Sequence, residues 1–155
     1  MKISIIIVSD KVSQGLIEDT LGVEMITLFK QQFNDLDIEK VVIGSNAQAL
    51  LNVFEHHTFS DYIITIGCTG LTAKDIAPQV TQNFCDKDLP GISEILRFEA
   101  YKENPIAMLS RNYAGIKGNT IIINVPASHK GVKLATRILL PILKPTKQLL
   151  NGHKI

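Results

Sequence analysis

Short runs of β-branched residues alternate along this chain with longer segments whose apolar residues recur at helical spacing, and few folds accommodate that alternation. The runs are Ile3–Val8, Ile38–Ile43, Tyr62–Ile66, Ile106–Leu109 and Thr120–Val125. The first, third and fifth are nearly solid Ile, Val and Thr, the pattern of strands covered on both faces. Between them, Leu21, Met25, Leu28 and Phe29 fall on one helical face, with Asp19 or Thr20 as N-cap. Ser45 and Gln48 read as a capping box opening a helix that carries Leu50, Leu51 and Phe54. Pro78 suits the first turn of a third helix, and Ile92, Ile95, Leu96 and Ala100 stripe a fourth. Ser128 would cap a last helix with Val132, Ala135 and Leu139 inside, interrupted at Pro141. Strand and helix in turn predict an α/β fold: one domain over residues 1–155 in three layers, a mostly parallel central sheet with helices on both faces.

Composition narrows the function classes. Apolar residues are 45% of the 155 and charged residues 20%, a globular balance without linkers or repeats. Sixteen Lys and Arg face fifteen Asp and Glu, a formal charge of +1, so no broad basic field exists and nucleic acid is not an expected partner. A polyanionic ligand would need local backbone donors, a few cations or a metal. No apolar run is longer than Ile5–Val8, far short of the roughly 20 residues of a membrane span. Met1-Lys2 leads directly into the first strand, so no targeting segment is expected. Cys68 and Cys85 form no CxxC pair and read as small buried thiols of a cytoplasmic protein.

Ligands of open α/β sheets bind beyond the carboxyl ends of the strands. The residues there are Ser9-Asp10, Gly44-Ser45, Gly67-Cys68-Thr69-Gly70, Ser110-Arg111 and Asn124-Val125-Pro126-Ala127-Ser128. Gly67 through Pro78 is the most informative segment. Two glycines after a strand let main chain approach a ligand closely, and successive N–H groups make an anion-binding concavity. Asp75, just before a Pro-started helix, has the chemistry to hold a divalent metal. Lys74 is followed by Asp75, so the segment is not a Walker loop. A structural turn with Asp75 as helix cap explains the same residues, and both readings stay open at this level. Arg111 is a candidate phosphate clamp and His129 a candidate pocket residue. His56-His57 lacks a third metal ligand at useful spacing and reads as solvated, and Asp86-Lys87-Asp88 reads as an exposed turn. No Ser/His/Asp or Cys/His set assembles, so covalent catalysis is not expected.

Taken in order, these motifs resemble the molybdenum-cofactor biosynthesis family of molybdopterin adenylyltransferases and their MogA/MoaB-type relatives. The likeness runs through Val8–Ser13 with Gly15 and Glu18–Gly22, then Gly67-Cys68-Thr69-Gly70 with Asp75 and Pro78. It continues through Leu89-Pro90-Gly91 with Arg97, Leu109-Ser110-Arg111 with Ala114-Gly115, and Asn124–Ser128. The resemblance implies AMP transfer from Mg-ATP to molybdopterin by a homo-oligomer, a trimer or a hexamer. It implies adenylate phosphates at Gly67, Thr69 and Gly70, and Asp75 as the catalytic carboxylate linked to Mg2+. It also implies Ser9, Asp10, Ser110, Asn124, Pro126 and Ser128 around a shared pterin and nucleotide pocket. Three positions depart from the family's pattern: Cys68 and Ala127 stand where it has glycines, and Ser45 where it has a second aspartate. They define the alternative, a diverged member that binds pterin or nucleotide, or serves as an assembly partner, without turnover.

Overall fold

The computed structural model describes residues 1–153. Six strands form one sheet: β1 (Lys2–Val8), β2 (Asp37–Ile43), β3 (Tyr62–Ile66), β4 (Lys87–Asp88), β5 (Ala114–Lys117) and β6 (Thr120–Val125). Their order is β2-β1-β3-β6-β5-β4; the first four run parallel, β5 pairs antiparallel with β6, and β4 pairs antiparallel with β5 at the far edge. The helices are α1 (Asp10–Ser13), α2 (Leu21–Gln32), α3 (Ala47–His56), α4 (Ala77–Phe84), α5 (Pro90–Glu103), α6 (His129–Leu139) and α7 (Leu143–Leu150). The α/β architecture with a mostly parallel sheet covered on both faces is therefore as expected.

Alternation along the strands builds two cores. Ile3, Ile5 and Ile7 of β1 join Tyr62, Ile64 and Ile66 of β3 and Ile121 and Ile123 of β6 beneath Met25, Phe29, Val132, Ala135 and Leu139. Ile6, Val8, Ile63 and Ile122 point to the other face and meet Leu50, Phe54 and Ala77. Both faces are buried, which is why these strands carry apolar residues without polar alternation. The edge strand β2 instead exposes Asp37, Glu39 and Lys40, charges that discourage edge-to-edge pairing.

Three local expectations are corrected. Ile106–Leu109 is not a strand: Pro105–Leu109 is a 3-10 turn, with Asn104 accepting from the Ile106 N–H at 3.2 Å. Its Ile106, Met108 and Leu109 are 70, 61 and 49% exposed, so the apolar run never enters the core. The strand lies later, at Ala114–Lys117, and turns through Gly118 (φ +57°) into β6. Lys87-Asp88 is not a free turn but pairs with β5 as the last strand. Asn46, not Ser45, caps α3, accepting from the Ala49 N–H at 2.8 Å, and Gln48 bonds Asn52 instead of closing a box. At α2, Thr20 stands at the cap position without a side-chain bond, and Asp19 accepts from the Gly22 N–H. Ser128 caps α6 through the Gly131 N–H at 3.0 Å, and Pro78 lies in the first turn of α4.

Candidate functional site

Because β2, β1, β3 and β6 run parallel, the segments after them gather at one edge of the sheet. From β1 the chain first crosses to β2 and then returns to β3 on the opposite side. A crevice opens where the winding reverses. Here β3 leaves the sheet through Gly67 at φ +111°, where a Cβ would lie 2.5 Å from the Val8 carbonyl. Only glycine fits so close a passage in that conformation.

Cys68 follows at φ +55°, the one non-glycine residue with positive φ among the described residues. Its thiol lies 3.2 Å from the Ser45 hydroxyl and 3.5 Å from the Val8 carbonyl. Two departures from the resembled pattern thus touch each other. Burial pushes the thiol pKa up; the Ser45 contact opposes this, and the nearby charges of Asp75 and Asp10 add to the rise. A thiol kept protonated is a poor nucleophile.

Asp10 bridges three of the gathered segments. One carboxylate oxygen accepts from the Ser45 N–H at 2.7 Å, and the other meets the Lys74 ammonium at 3.1 Å. The Ser45 N–H first, then Lys74, hold its pKa below the ordinary 3.8. Ser9 beside it accepts from the Val12 N–H at 3.4 Å as the cap of α1.

Asp75 is held within its own loop. One oxygen accepts from the Thr72 N–H at 2.8 Å and from the Thr72 hydroxyl at 2.7 Å. Burial raises its pKa, but the Thr72 hydroxyl and N–H, the Gly70 N–H and the Arg111 charge outweigh that and keep it ionised below 3.8. It does not cap α4, whose cap position is Ile76. A Cβ on Gly70 would come within 3.0 Å of this carboxylate. Arg111 spans the same loop: its Nε donates to the Gly70 carbonyl at 2.7 Å, its Nη2 to the Asp75 carbonyl at 2.6 Å, and its N–H to the Thr69 carbonyl at 2.9 Å. Thr69 itself is buried.

Among the described residues, several of the expected site residues line two hollows. Asp75 and Arg111 line a hollow of about 580 Å3 beside Gln79 and Asn83 of α4. Ser110, Pro126 and Ser128 line a larger one of about 670 Å3, walled by α5 and α6 and shared with Arg97 and Asn112. Arg97 donates to the Asn112 carbonyl at 2.8 Å and to its side-chain oxygen at 2.9 Å, fixing that wall. His129 also borders the larger hollow, with its ring paired to Glu24 of α2. Asn124, an expected pocket residue, lies buried at the end of β6. It is fully enclosed, donates to Thr65 and Thr81 at 2.9 and 2.8 Å, and accepts from the Tyr113 N–H. His56 and His57 turn onto carbonyls of their own helix. Lys74 and Asn112 were not candidates from sequence; the only signal for Lys74 was its place beside Asp75.

The profile of a family described as a probable molybdopterin binding domain matches residues 4–145. A protein of Helicobacter pylori (strain 26695) named molybdopterin adenylyltransferase is 28% identical over 156 residues, covering 97% of this chain and 88% of its own length. The molybdopterin adenylyltransferase of Escherichia coli K12 is 26% identical over 141 residues, covering 86% of this chain and 70% of its own. Among solved structures, the molybdopterin biosynthesis enzyme MoaB of Thermus thermophilus superposes with a TM-score of 0.87 at 28% identity, over 97% of this chain and 96% of that one. In the structure, no helix among the described residues is long and apolar enough to cross a membrane.

Proposed function

Because the chain belongs to the family of probable molybdopterin binding domains, we propose that it is a molybdopterin adenylyltransferase acting in the cytoplasm, moving AMP from Mg-ATP onto molybdopterin. What carries this reading is Asp75. It is an ionised carboxylate on a glycine-bounded loop at the sheet's switch point, with a second hollow of small-molecule size close by. Relatives named for that activity cover most of the chain.

In this proposal the ATP phosphates lie against the main chain of Gly67, Thr69 and Gly70, and molybdopterin occupies the hollow of Ser110, Pro126 and Ser128. Ser9 and Asp10 border the nucleotide, and Asn124 supports the floor. Among the described residues no three His, Cys, Asp or Glu side chains converge to hold a resident metal. Mg2+ that arrives on phosphates needs only one or two protein carboxylates, and Asp75 suits that donor set. The ion would neutralise charge on the phosphates. The molybdopterin phosphate oxygen then bonds to the α-phosphorus of ATP as the bond to the pyrophosphate oxygen breaks. Little covalent work falls to the chain, so alignment and electrostatics dominate. A homo-oligomer, trimer or hexamer, belongs to the same proposal; Phe98, Ile106 and Met108 are exposed apolar residues.

Purified protein incubated with molybdopterin and Mg-ATP should form adenylylated molybdopterin and pyrophosphate. Asp75→Ala should lower that rate by about a hundredfold or more. Full activity in the variant removes Asp75 from the mechanism. The Ser45–Cys68 contact favours a second reading, in which the site binds pterin or nucleotide without turnover. Binding by calorimetry with no product in the same assay would select it.

A further inference from the structure

Arg111 sits on the segment between the Pro105–Leu109 turn and β5, yet all its bonds described above go to the loop after β3. Three donors from one residue reach the carbonyls of Thr69, Gly70 and Asp75, at 2.9, 2.7 and 2.6 Å. These carbonyls bracket the loop at both ends, and the residues that accept are 36 to 42 positions away in sequence. A trans peptide plane points its C=O and its N–H in opposite directions. Turning the Thr69 and Gly70 carbonyls to Arg111 therefore turns the N–H groups of Gly70 and Leu71 away from it. The Gly70 N–H is one of the groups that keep Asp75 ionised, so Arg111 governs the loop's amides and its acid together.

We propose that Arg111 is a positioning residue, fixing through main-chain carbonyls the shape of the loop that presents amides and Asp75 to a nucleotide, instead of clamping a phosphate itself. The nucleotide part rests on the reading given under the proposed function; the loop-shaping part does not. A planar fork suits two carbonyls at once, and a lysine ammonium does not reproduce it.

The two parts are tested separately on Arg111→Gln and Arg111→Lys in the full-length protein. Hydrogen exchange comes first: amides of residues 69–76 should exchange about tenfold faster in both variants, with the strands unchanged. Unchanged loop exchange overturns the proposal. Calorimetry with AMP, ADP and ATP comes second. A positioning residue loses affinity by the same factor, about tenfold, for all three, whereas a phosphate clamp loses more as phosphates are added, and that gradient overturns the proposal. In the activity assay the KM for molybdopterin should stay within about twofold while kcat falls. If wild-type protein binds no adenine nucleotide but the variants still loosen the loop, the nucleotide reading fails and the loop-shaping role of Arg111 stands. Should Arg111→Gln not fold, Arg111→Lys carries both measurements alone, since a lysine ammonium does not reproduce the planar fork.

Discussion

Cys68 occupies a left-handed backbone position that costs a non-glycine residue about 1 kcal/mol, and its thiol rests on Ser45. An aspartate at position 45 would push its carboxylate into the space the thiol fills, beside the charges of Asp10 and Asp75. Overpacking and like-charge crowding then act together. Ser45→Asp alone should lose about 2 kcal/mol of stability, and the same change made in a Cys68→Gly background should lose at least about 1 kcal/mol less, in urea denaturation. Additive losses would show that the two positions are not coupled. At this scale the sequence exposes residues whose type is constrained by geometry, such as Gly67 at its close passage over Val8. It conceals those whose partners are main-chain atoms. The carbonyls held by Arg111 have no residue-type signature, which is why a bracing side chain reads there as a clamp. Asn124 is a related case: a polar residue at a strand end suggests a ligand, and nothing in its type shows that its amide donates to two buried threonine hydroxyls.

Element boundaries follow the caps more faithfully than the apolar runs. The segment Ile106–Leu109 carries strand-like residues, but Pro105 and the Asn104 side chain impose a 3-10 turn and leave it exposed. The short strand that replaces it, Ala114–Lys117, contains Ala, Gly and Lys and shows no strand pattern of its own. Pairing to β6 makes it a strand, and pairing is a property of the neighbour. Likewise, Ser45 and Asn46 are both capping types directly before α3, and only the backbone distinguishes them. Asn46→Ala should lose about 1 kcal/mol in chemical denaturation, while Gln48→Ala, on the exposed face, should lose less than about 0.5 kcal/mol. Equal losses would restore the Ser45–Gln48 box as the helix start.

The whole molecule is where sequence and structure agree most closely. Solid Ile and Val runs require cover on two faces, two faces require helices on both, and parallel strands joined through helices collect their following segments at one edge. That edge links Asp10, Ser45, Cys68 and Lys74 by direct contacts between the segments that follow three strands, with the Asp75 charge near Cys68. The larger hollow was less legible, since its walls, α5 and α6, meet only through tertiary packing. The central claim is that the loop between β3 and α4 receives the nucleotide's phosphates. Crystals grown with saturating Mg-ATP test it most directly: phosphate density should lie against the main chain of Gly67–Gly70, with Asp75 turned to the metal ion. Clear nucleotide density elsewhere, or a loop still closed on Asp75 with no phosphate beside it, would contradict the account.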